Sequence, residues 1–406
     1  MQTFRQALAT TQAKAPLVAL ALVAVGAVLS TAAFSIGLAG TFLLWATFSY
    51  WRNGGLLTWL TGGAMLLLLA LCTAALAAQD SVAAWDEVRK YYPMVLLVFA
   101  QDIVRSRQEL FWIARLFLIA ATVGAALALL GSLKIIEWDN TTISSSYRFS
   151  GNAGILQYAV CMVFGWIICA WIYLQTKNLR LAAGAFLGLL LFAEAILANQ
   201  TRASLVAIFI ALVMIAWSRY CHRKRLLILL ALMLLSTPFV MNSGFGSRLS
   251  NSINEINLNQ PTSQRQALWA YAWTIFRDAP ILGAGPGSFA TASAELQVDP
   301  RLAKYPHLEE RHQTAHNIFL HFLATAGVIG LLGLLSWIGI TSWFFFRAYF
   351  RGCGLAVPAL AFWLAFLAFN LTDMPILNTR INGLVFLALG ASAGAIRGSR
   401  ESSHNP

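Results

Sequence analysis

The sequence predicts an all-α, polytopic membrane protein with about twelve transmembrane helices and one large extramembrane loop carrying interfacial helices. Three observations lead there. The 406 residues are 59% hydrophobic and only 11% charged, whereas a soluble domain is roughly 45–50% apolar and about 25% charged. The apolar residues fall in continuous runs rather than alternating ones, which excludes a β-barrel. The mean hydropathy is +0.68, and a chain this long can supply about a dozen runs of the roughly 20 apolar residues a span needs.

The runs lie at 16–34, 36–51, 56–78, 92–104, 110–131, 153–175, 179–198, 203–218, 225–241, 317–346, 355–371 and 380–396. The first resembles a signal peptide, with Arg5 and Lys14 ahead of it and "LSTAAFS" as a cleavage site. Counting it as a span closes the topology. The fourth is short for a full crossing. With the N-terminus inside, the inner segments carry Arg5, Lys14, Arg52, Arg105, Arg107, Lys177, Arg180, Arg219, Arg223, Lys224, Arg225, Arg347, Arg351, Arg397 and Arg400. These are more than half of the 28 basic residues, opposed there by Glu109 and Glu401. The net charge of +12 is thus a topology signal and does not point to nucleic acid. Both termini fall inside.

This divides the chain into 1–241 with nine spans, an outer loop 242–316, and 317–406 with three spans and a short tail. The loop opens polar. A helix follows Pro261, with Ser263 and Gln266 as a possible capping box. In "RQALWAYAWTIFRDAP" it carries Trp269, Tyr271, Trp273 and Phe276, suited to lying in a membrane interface. No internal repeat relates the two halves, and ionisable residues are nearly absent at mid-depth, which disfavours a transporter. The five cysteines avoid the long polar loops, so neither a disulfide framework nor a zinc site is indicated.

Polar groups gather instead at outer helix starts. His316 precedes the tenth span, where the helix dipole disfavours a second positive charge. A neutral imidazole there can serve as a general base, although a histidine at the interface can equally be a snorkelling residue. Gly327 and Gly330, on roughly the same face, predict close packing of another helix beneath it. Arg202 starts the eighth span, where a cation makes sense if an anion sits between it and the helix's first N–H groups; the plain alternative is a lipid-phosphate contact. Arg265 opens the loop helix. Two arginine forks match a diphosphate. Arg148 is a weaker fourth candidate, and a plain loop position explains it as well.

"GAGPG" (Gly283, Gly285, Gly287) follows no strand and reads as a tight turn rather than a dinucleotide fingerprint. Glu137 and Asp139 form the nearest thing to a metal-binding carboxylate pair, without a third ligand. No metal or cofactor is expected. His312 and His321 lie near His316 in sequence as bystanders.

The pattern resembles the O-antigen ligase and polymerase superfamily of bacterial envelope glycosyltransferases, most closely its ligases. Their hallmark is matched by His316, Asn317, nine residues through Ala326, then Gly327 and Gly330. Arg202 matches the family's arginine at the outer start of a middle span. Arg265 and Trp269 match its Arg-x-x-x-Trp element ahead of "GAGPG". The first 140 residues carry little specific signal. The resemblance implies an inner-membrane enzyme with a periplasmic site. It would transfer a glycan from undecaprenyl diphosphate to a hydroxyl of the lipid A–core oligosaccharide, with inversion and without a metal ion. It implies His316 as the base, Arg202 and Arg265 on the diphosphate, and Asn317, Trp269 and Gly285 near the substrate, where the residues alone also offer Arg148. The superfamily's polymerase, with a second lipid-linked glycan as acceptor, is the alternative. A protein-glycosylating relative usually carries an extra C-terminal region, and this chain ends ten residues after its last expected span.

Overall fold

The computed structural model describes residues 2–49, 58–132, 135, 154–219, 221–241, 246, 264–294, 296 and 314–404. Among them there is helix and turn but no strand. Helices α1 (Gln2–Leu29), α2 (Thr31–Leu44), α3 (Trp59–Leu76) and α4 (Ser81–Arg89) come first. Then follow α5 (Val95–Ile103), α6 (Arg107–Ser132), α7 (Ile155–Gln175), α8 (Leu179–Asn199), α9 (Ala203–Trp217) and α10 (Arg223–Met241). The loop contributes α11 (Gln264–Asp278) and α12 (Phe289–Ala294). The chain closes with α13 (Ile318–Phe350), α14 (Ala356–Thr372) and α15 (Thr379–His404).

Over the described residues the expected spans fall on helices. Among the described residues six helices are long and apolar enough to cross a membrane on their own, and four more apolar helices are shorter. The protein is therefore a polytopic all-α membrane protein, and a count of twelve crossings depends on the shorter helices. The first two spans meet earlier than expected, at Ser30, whose hydroxyl accepts from Ala33 N at 3.3 Å and caps α2. A side chain at Gly26 would overlap the Phe34 backbone, so the α1–α2 turn closes only because residue 26 has none.

The short fourth span has a specific support. A 3-10 turn at Tyr92–Met94 leads into α5, which has nine residues and so is about 14 Å long, under half of a hydrocarbon core of about 30 Å. It runs beside α15, where "GASAGAIRG" sets Gly390, Gly394 and Gly398 four residues apart. A Cβ at any of these would strike the backbone of Leu97, Val104 or Arg105. This is the small-residue seam that lets membrane helices approach closely. Asn382 Nδ2 extends the contact by donating to Lys90 O at 3.1 Å and Ile376 O at 2.6 Å. The centre is filled by aromatics: Trp337 and Trp363 meet edge-on at 4.9 Å, and Trp363 Nε1 donates to Ser342 Oγ at 2.9 Å.

Candidate functional site

The site forms where α13 begins and α14 ends, with α11 packed on α13 and reaching Asp373 through Arg265. Asn317 caps α13: its Oδ1 accepts from Phe319 N and Leu320 N at 3.0 and 3.1 Å, and its Nδ2 donates to Leu371 O at 3.3 Å. The cap leaves His316 just ahead of the helix. His316 has φ 49°, in the left-handed region that side-chain-bearing residues seldom occupy and that recurs at functional sites.

The imidazole faces a carboxylate. Asp373 ends α14, and its Oδ1 lies 3.5 Å from His316 Nδ1 and 3.4 Å from Arg265 Nη2. One oxygen thus joins two of the residues singled out from sequence, from helices far apart in the chain. The Arg265 contact is a long hydrogen bond and the His316 contact an ion-pair approach. The three side chains are partly open, at 35%, 35% and 21% exposure for Arg265, His316 and Asp373. Asp373 drew no role from the sequence. Its signal was an acid in the turn "TDMPILN", between two apolar spans.

Arg265 is held there by the packing of α11. Leu268, Ala272 and Ile275 share one face at helical spacing and bury against Phe289, Ala315 and Ala324. Trp269 and Trp273 take the other side and remain 36% and 51% exposed, as an interfacial helix requires.

The glycine pair acts otherwise than expected. Among the described residues it is the loop after α11, not a second helix, that meets Gly327, and α13 is broken there, with φ 61° and ψ −159°. The break releases hydrogen-bonding groups, and the loop after α11 takes them up. Ala284 N donates to Ala324 O and Gly285 N to Thr325 O, both at 2.9 Å, while Val328 N donates to Pro280 O at 2.9 Å. A Cβ at Gly327 would overlap Ile281 O, and one at Gly283 the Thr325–Gly327 backbone. Gly330 makes room for the Ala326 side chain across the same kink. The "GAGPG" segment is a turn, as its composition indicated, and Gly285 and Gly287 press it onto Ala78 and Ala83.

Below this lies a second histidine–carboxylate pair. His321 Nε2 is 3.4 Å from Glu87 Oε1 of α4, at 1% and 6% exposure. Burial raises the Glu87 carboxyl's affinity for a proton, but His321, Lys90 and the Gly287 N–H together hold its pKa below the ordinary value. The pair ties α4, the "GAGPG" turn and α13 together. His321 is thus a structural partner rather than a bystander.

Arg202 is the N-cap position of α9, with no side-chain cap. It shares the His316 end of the bundle, since at the other end of α9 Trp217 O accepts from Tyr349 Oη at 3.4 Å, near the end of α13. Arg148, Glu137, Asp139, Pro261, Ser263, His307 and His312 lie outside the described residues.

No curated protein matches the chain. Residues 187–335 match the family model described as O-antigen ligase. That stretch holds Arg202, Arg265, the glycine turn, His316 and the broken start of α13, and the match supports an O-antigen ligase-type protein.

Proposed function

We propose that the protein is an O-antigen ligase, transferring a glycan from undecaprenyl diphosphate to a hydroxyl of the lipid A–core oligosaccharide at the periplasmic face of the bacterial inner membrane. The family match supports the coarser statement directly: an envelope enzyme of the ligase and polymerase type in lipopolysaccharide biosynthesis. The observation that carries the finer one is the Arg265–Asp373–His316 contact.

In this reading the acceptor oxygen attacks the anomeric carbon. The carbon–oxygen bond to the diphosphate breaks, and its electron pair leaves with undecaprenyl diphosphate. The hydroxyl proton passes to His316 Nε2. Asp373 accepts from Nδ1–H, which fixes the tautomer and stabilises the imidazolium that forms. Arg265 neutralises the leaving diphosphate, with Arg202 as the second fork, and exchanges part of its contact with Asp373 for phosphate oxygens. Asn317 keeps the helix start in place, Trp269 sits on the exposed face of α11 beside the donor's lipid, and Gly285 shapes the turn beneath. A general base and a neutralised leaving group suffice for the displacement, so transfer is expected to proceed with a chelator present.

Two experiments test the reading. In a deletion strain, loss of the lipopolysaccharide ladder with accumulation of lipid-linked polymer is the expected result; a single-repeat band would make the protein a polymerase. In reconstituted transfer, Arg265→Lys retains charge but loses the planar fork. Both donor binding and turnover should weaken, and donor binding left intact would remove Arg265 from the diphosphate site.

A further inference from the structure

A cavity of about 510 Å³ lies between α6, α7, α14 and α15. It is at the end of the bundle away from His316: Arg107 starts α6, Thr176 follows α7 and Pro358 is near the start of α14. Its size is that of a small-molecule site. The body is apolar, walled by Phe164, Trp171, Phe362 and Leu387. The exceptions are Arg107, Arg115 and Gln175.

These three carry the argument. Arg115 lies eight residues into α6 from Arg107, about 12 Å along the axis at 1.5 Å per residue. It is exposed on a helix apolar enough to cross a membrane. A guanidinium at that depth is costly in hydrocarbon unless an anion meets it. Among the described residues no carboxylate pairs with Arg107 or Arg115. The nearby Glu109 is occupied, accepting from Arg105 N at 2.7 Å and Ser106 N at 2.9 Å. Gln175 Nε2 is buried with no hydrogen-bond partner. Two cations and an unsatisfied donor therefore edge an apolar cavity, which is the complement of a lipid whose headgroup is anionic and whose ester oxygens accept.

We propose that this cavity is a binding site for an anionic phospholipid, one acyl chain filling the apolar body and the phosphate meeting Arg107 and Arg115. Basic pockets between membrane helices recognise anionic headgroups in this way. The site is separate from the transfer chemistry and does not depend on that reading.

The test uses the full-length protein in nanodiscs of equal phosphatidylglycerol and phosphatidylcholine. The protein is then extracted into detergent, and its retained lipid is quantified by mass spectrometry. Enrichment to roughly one phosphatidylglycerol per chain is expected. Arg107→Gln with Arg115→Gln should bring the retained lipid to the bulk ratio. Ala388→Phe fills the cavity while keeping both arginines and should do the same; it decides the matter if the double variant does not fold. A bulk ratio in the unmodified protein, or enrichment that survives Ala388→Phe, overturns the proposal. So does enrichment of added undecaprenyl phosphate that is indifferent to both arginine substitutions, which would assign the cavity to a polyprenyl tail.

Discussion

Two histidine–carboxylate pairs sit five residues apart at the start of one helix. Their distances, 3.5 Å for His316–Asp373 and 3.4 Å for His321–Glu87, are nearly the same. Their surroundings are not. The upper pair is open to 35% and 21% and has a guanidinium on the same oxygen; the lower is sealed at 1% and 6%. An open pair can exchange its partners for a substrate. A sealed pair cannot, and instead fixes the elements that carry it. Chemistry of the same type therefore serves two purposes, and accessibility separates them.

The widest separation should come from the histidines themselves. His316→Ala removes the proposed proton acceptor, and transfer should fall by about a hundred- to ten-thousandfold, while donor binding survives. Binding and transfer measured separately check this; lost donor binding would make His316 a phosphate ligand. Asp373→Asn should act next. A hydrogen bond to a charged group contributes about 1.5–3 kcal/mol, so turnover should drop roughly ten- to a hundredfold with the fold intact. Turnover equal to that of the unmodified protein would separate Asp373 from the chemistry.

For the sealed pair, the expected loss is in stability. His321→Leu leaves a buried carboxylate without its partner, a change that typically costs about 3–5 kcal/mol. Thermal unfolding in detergent should show it, with part of the loss recovered by Glu87→Leu in the same chain. If His321→Leu unfolds no more readily than the parent protein, the pair does not hold α4 to α13. The smallest effect is on pH. The Glu87 pKa is held below its ordinary 4.5, so its contribution is complete above that value and is lost as pH falls through the depressed one. Unfolding curves taken from pH 6 downward should show acid destabilisation beginning below about pH 4.5, and Glu87→Gln should flatten that dependence.

The helices were legible because long apolar runs have few other ways to be satisfied in a membrane. His316 and Arg265 were legible as polar residues at helix starts, where local electrostatics makes them conspicuous. Asp373 was not, because an acid in a short turn is ordinary until the fold brings Arg265 to it across 108 positions. Gly327 was misread for a related reason. Small residues spaced along an apolar helix signal close packing, and nothing local distinguishes that from a break whose hydrogen bonds are completed by a loop forty residues earlier. The Glu87–His321 pair needed tertiary contact over 234 positions, which helical periodicity does not carry.

The break at Gly327 also decides which parts of the chain can be exchanged for others. Pro280–Gly285 registers both sides of the break through main-chain atoms, the piece of α13 that carries His316 at Ala324 and Thr325 and the continuation at Val328 and Ile329. A chimera that replaces 331–350 with another span of the same length should leave His316 in place, provided residue 333 stays a glycine against α3. Altering the length of 280–285 by one residue should displace it, though no residue of the span has changed. The position of the histidine is thus inherited from the loop rather than from the helix it introduces.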